Sequence, residues 1–73
     1  MRRIRLRLED AIVYVLASAG RGYSTGEIAY IINQNQLHIR KDGCPVTDAQ
    51  IYAVVMRNPS VFAKDGGIIH LLM

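Results

Sequence analysis

Two reciprocal helix-start signatures constrain the fold of this chain more than anything else in it. Ser24 is followed three residues later by Glu27, and Thr47 by Gln50. In such a pair the hydroxyl accepts from the amide three residues on, and the longer side chain reaches back to the amide of the cap. Two of the donors left unpaired at a helix start are satisfied together. A helix-period apolar stripe trails each signature: Ile28, Ile31 and Ile32 after the first, Ile51, Val54 and Val55 after the second. The first of these helices ends around Asn33 to Asn35, and Asn58-Pro59 stops the second.

The connector between them, Gln36 to Pro45, is too long for the tight turn of the simplest helix-turn-helix. Within it Leu37-His38-Ile39 alternates and can form a short strand, from which His38 would point outward, as His70 would from a later one. Arg40-Lys41-Asp42-Gly43 reads as a turn, and Pro45 holds Cys44 extended. A further helix precedes both, from Glu9 to Ala19, with Leu8, Ile12, Val15, Leu16 and Ala19 on one stripe and Gly20-Arg21-Gly22 as its stop. Tyr23 either packs over the first turn of the next helix or bridges to the hairpin that closes the chain. That hairpin runs from Val61-Phe62-Ala63-Lys64 through Asp65-Gly66-Gly67 to Ile68-Ile69-His70-Leu71-Leu72. Three helices and a glycine-tipped hairpin make a mainly α winged helix-turn-helix with a two-stranded wing and room for an extra N-terminal strand. The expectation is one winged-helix domain over residues 1–73, with residues 1–7 a basic extended arm or edge strand.

Composition narrows the function classes. Hydrophobic residues are 51% of the chain and charged residues 21%, which excludes a disordered segment. So high an apolar fraction in a chain this small implies a partner-covered surface or a piece of a longer protein. One cysteine excludes an internal disulfide framework and fits a reducing compartment, the cytoplasm or the nucleoid. The basic start lacks the apolar run of a signal peptide, and no stretch is apolar enough to span a membrane. Asp10, Glu27, Asp42, Asp48 and Asp65 are spaced as caps and turn formers rather than as acid–base pairs. Cys44, His38 and His70 lack CxxC or HExxH spacing. The expectation is a non-enzymatic domain with no metal, cofactor or small-molecule substrate.

The net charge of +3 is concentrated in the first ten residues, where Arg2, Arg3, Arg5 and Arg7 face Glu9 and Asp10. In Arg3-Ile4-Arg5-Leu6-Arg7-Leu8 arginines alternate with aliphatic side chains, which suits either an edge strand lying apolar side down or a phosphate-contacting arm. The candidate contacts to duplex DNA are Gln50 and Arg57 on the third helix, Arg40 and Lys41 in the connector, Lys64 on the wing, and Arg3 and Arg5 in the arm. Gln50 could read adenine, and Arg57 guanine or a phosphate. Tyr14, Tyr23, Tyr30 and Tyr52 are scattered over helices and offer no stacking platform for single strands. The competing class is a protein-interaction or homodimerisation module. Its candidate surface is Ala49, Ala53 and Met56 on the outer face of the third helix, with Ile4 and Leu6 in the arm.

The residues Tyr23-Ser24-Thr25-Gly26-Glu27-Ile28-Ala29, a connector ending Lys41-Asp42-Gly43-Cys44-Pro45-Val46-Thr47, Gln50-Ile51, and Phe62 followed by Gly66-Gly67-Ile68-Ile69 together resemble the HARE-type winged helix-turn-helix family. The resemblance covers roughly residues 8–72 and rests mostly on core, cap and turn positions. It implies that Glu27-Ile28 open the second helix, that Pro45 and Thr47 lead into the third, and that Phe62 and Gly66 build the wing. Such modules occur attached to restriction enzymes, RNA polymerase accessory subunits and chromatin proteins. The resemblance therefore also implies binding to DNA, or bridging between DNA-associated proteins. Its one departure is a third helix that is nearly neutral.

Overall fold

A computed structural model describes residues 6–72 of the chain. The expectations placed on Arg3, Ile4 and Arg5 lie outside these residues. The first helix, α1 (Leu8–Ala19), carries Glu9 and Asp10 in its opening turn, where carboxylates suit the positive end of the helix dipole. Gly20 ends it at φ 66°, and the Gly20 amide donates to the Leu16 carbonyl at 3.1 Å. Its buried stripe is Ala11, Ile12, Val15 and Leu16; Ala19, expected on that stripe, is exposed because the last turn runs beyond the core.

Tyr23 and Ser24 form a short strand, β1 (Tyr23–Ser24), and Ser24 then caps α2 (Thr25–Gln34). The reciprocal box is complete: the Glu27 amide donates to Ser24 Oγ at 3.2 Å, and the Ser24 amide to Glu27 Oε1 at 3.0 Å. The other end of α2 closes by crossed bonds, Leu37 N–H to the Ile32 carbonyl and Gln36 N–H to the Asn33 carbonyl. Gln36 takes a φ of 50° there, in the position glycine usually fills. The final helix, α3 (Asp48–Arg57), begins at the Thr47–Gln50 box and ends at Asn58, whose side-chain amide donates to the Val54 carbonyl at 2.7 Å.

Strands β2 (Phe62–Asp65) and β3 (Ile68–Leu71) follow, joined by Gly66 and Gly67 at φ 56° and 86°. Two consecutive positive φ values are what a two-residue hairpin turn needs to match the twist of its strands. The sheet is antiparallel in the order β1-β3-β2, with Tyr23 opposite Ile69 and Lys64 opposite the same residue from the other side. The extra strand of this winged-helix arrangement is therefore Tyr23–Ser24. Gly22 makes its approach possible: a Cβ there would lie 2.6 Å from Ile68 and 2.7 Å from His70.

Five isoleucines, Ile12, Ile28, Ile32, Ile51 and Ile69, are fully enclosed between the three helices and the sheet, with Phe62 and Val46 beside them. Leu37-His38-Ile39 forms no strand. Instead it holds the end of the arm. The Leu6 amide donates to the Leu37 carbonyl at 3.0 Å, and His38 Nδ1 lies 2.7 Å from the Leu6 carbonyl, which can only accept. His38 is thus half-buried against Leu6 rather than turned outward, whereas His70 is exposed on β3.

Candidate functional site

The connector folds back onto the start of α3. Asn33, in the last turn of α2, grips the Val46 backbone on both sides of its Cα: Nδ2 donates to the Val46 carbonyl and Oδ1 accepts from the Val46 amide, each at 2.9 Å. This clasp, with the buried Val46 side chain, seats α3 against α2 despite the length of the loop. Gly43 closes the Arg40–Gly43 turn at φ 77°, its amide donating to the Arg40 carbonyl. Asp42 organises the same turn through Cys44 N–H at 3.0 Å and Arg40 Nη2 at 2.7 Å. The Cys44 amide first, and then the Arg40 guanidinium, hold the Asp42 carboxyl below the usual carboxylate range. In α2 the backbone amide and hydroxyl of Ser24 do the same for Glu27.

Arg40, Lys41 and Gln50 come together here, lining one open concavity with His38, Ile39 and Asp42. They are not equivalent. Arg40 is committed to its pair with Asp42 and reaches the Pro45 carbonyl and Gln50 Oε1, both at 3.4 Å. Gln50 Oε1 also accepts from the Thr47 amide at 3.0 Å and lies 3.5 Å from the Thr47 hydroxyl. Its carbonyl is therefore spent inside the capping box, and the two-point pairing of a glutamine with adenine needs that oxygen. Lys41, at the turn, is exposed.

Arg57 lies at the far end of α3, roughly 10 Å along the axis from Gln50. It is exposed, with Nε turned to the Ala53 carbonyl at 3.4 Å. Lys64 is on β2, an edge of the sheet, and strand alternation places it on the same face as the buried Phe62. Lys64 is exposed there, and a charged side chain on an edge strand also discourages sheet-to-sheet pairing. Among the described residues the single ion pair is Arg40–Asp42, so Lys41, Arg57 and Lys64 form none, although Glu9 borders one hollow with Arg57. Between them α3 presents Ala49, Tyr52, Ala53 and Met56, all exposed, at the i, i+3, i+4, i+7 spacing of a single helix face.

Sequence reasoning missed a second surface. Two open hollows share Tyr23 and Ile31 as lining: Tyr14 of α1 borders one of them and Tyr30 of α2 the other. Tyr30 is fixed by Gln34, whose side-chain amide donates to its hydroxyl at 2.7 Å, and the Arg21 guanidinium stands 4.7 Å from the centre of the Tyr23 ring.

Among the described residues no three His, Cys, Asp or Glu side chains gather as a metal site, and no helix is long and apolar enough to cross a membrane. Cys44 is exposed. Compared with known proteins, the chain matches no family model, no curated protein and no solved structure.

Proposed function

We propose that this chain acts as one non-enzymatic winged-helix domain of the HARE type that binds duplex DNA, in the cytoplasm or on the nucleoid. The observation that supports this most is the layout of free cations. Lys41 precedes α3, Arg57 ends it and Lys64 stands on the wing, flanking a helix whose outer face is open. In this reading α3 enters the major groove, and Lys41, Arg57 and Lys64 contact phosphates on either side. Arg3 and Arg5 of the arm extend the same contact. Arg40 and Gln50 act through the connector, holding it and the start of α3 in place. Asp48, the single carboxylate on α3, subtracts from the attraction.

Three to five phosphate contacts give modest affinity that falls steeply with salt. Titrating a labelled random-sequence duplex at about 50 mM salt should give binding at micromolar protein, lost well before about 200 mM. Absence of binding at tens of micromolar protein in the lower salt would overturn the reading.

A second reading has its own observation. Tyr52 and Met56 are 45% and 54% exposed on the outer face of α3, an adaptable apolar contact that a protein surface or a second copy could use as part of a larger interface across Ala49 and Ala53. Ile4 and Leu6 would add the apolar side of the arm. Its signature is a change of mass in solution, measured by sedimentation equilibrium.

A further inference from the structure

The groups that α3 can offer to a base edge are restricted in a specific way. Gln50 Oε1 is held by the Thr47 amide and Arg40 Nη1, and Arg57 Nε is turned back to the helix backbone. Asp48 is exposed in the first turn, and the outer stripe beyond it, Ala49, Tyr52, Ala53 and Met56, ends in methyl groups or a ring, with the Tyr52 hydroxyl as its one polar side-chain group. A helix so equipped is poor at reading the donor and acceptor pattern of the major groove. It is well suited to the one apolar feature there, the C5-methyl group of thymine. The cations at both ends of the stripe and on the wing say what covers it, since they complement a polyanion running past each side of the helix rather than an apolar protein surface.

We infer that the outer stripe of α3 selects thymine-bearing duplexes by apolar contact with thymine methyl groups, with Ala53 and Met56 as the residues that set the preference. This inference rests on the DNA-binding reading above. Ala49 and Ala53 let the helix backbone approach the base edges closely, and Met56 fills irregular space between methyls.

The test compares two duplexes of identical A·T sequence, one built with thymidine and one with deoxyuridine, so that the C5-methyl groups are the only difference. At about 50 mM salt, burying a methyl carbon should strengthen binding about four-fold for each methyl contacted. The double variant Ala53→Ser with Met56→Gln should lose the preference. Its circular dichroism should be unchanged, because both positions are exposed. Equal affinity for the two duplexes would overturn the inference while leaving DNA binding intact. Binding to neither duplex would overturn both.

Discussion

Asn33 is the residue on which the placement of α3 depends most. Its two 2.9 Å bonds to Val46 satisfy half-buried backbone groups that water reaches poorly. Replacing it with alanine strands both a donor and an acceptor, at a cost of about 1–3 kcal/mol. Urea unfolding of Asn33→Ala should show that loss. Asn33→Asp keeps the acceptor but sets a carboxylate oxygen where the donor faced the Val46 carbonyl, so it should be destabilised as well. A loss below a few tenths of a kcal/mol would mean that Val46 is held by burial alone. Little of this was legible in the sequence. Asn33 reads there as the fraying end of a helix, because its partner lies 13 residues away across a loop. Gln50 is the opposite case: its spacing from Thr47 announced the cap, yet the same bond removes it from the list of free base readers.

At the scale of elements, what the sequence disclosed was local. Capping boxes, the Gly20 stop and the Gly66-Gly67 turn are each written within four residues, and each formed as expected. The alternating trio Leu37-His38-Ile39 misled, because alternation alone cannot supply a strand with a neighbouring ladder; it found Leu6 instead. Two of the connecting devices rest on ionised carboxylates, Glu27 at the start of α2 and Asp42 in the connector. Both are held below their ordinary range when folded, so the folded protein binds fewer protons than the unfolded one as the solution is acidified. Their contribution is complete above the ordinary carboxylate range and is lost as pH falls through the lowered folded values. The thermal midpoint should therefore be flat near neutrality and decline below about pH 4. Glu27→Gln should shallow that decline while lowering the plateau. An unchanged acid profile in the variant would remove Glu27 from this account.

For the whole molecule, the question is how much surface a partner could take. A helix of ten residues is about 15 Å long, and one such face falls short of the roughly 800 Å² per partner that a stable protein interface buries. The expected outcome of sedimentation equilibrium at tens of micromolar is accordingly a monomer. A dimer at that concentration, abolished by Met56→Glu, would transfer the α3 stripe to the protein-interaction reading. The two tyrosine-bordered hollows belong to this scale too. No single helix reveals them, since Tyr23 joins Tyr14 in one and Tyr30 in the other only once α1, β1 and α2 are assembled.

The strand order has a consequence for the timing of folding. The middle strand of the sheet, β3, comes after the three helices and β2 in chain order, and it pairs with Tyr23–Ser24 from far upstream. While the chain is being synthesised, the three helices emerge first and have no lid: Ile69, fully enclosed in the finished molecule, is still missing. Closure is therefore a late, long-range event that the local helix signals cannot accelerate. Until it happens, the apolar side of the helices is the surface a nascent chain leaves open to chaperones or to misassociation.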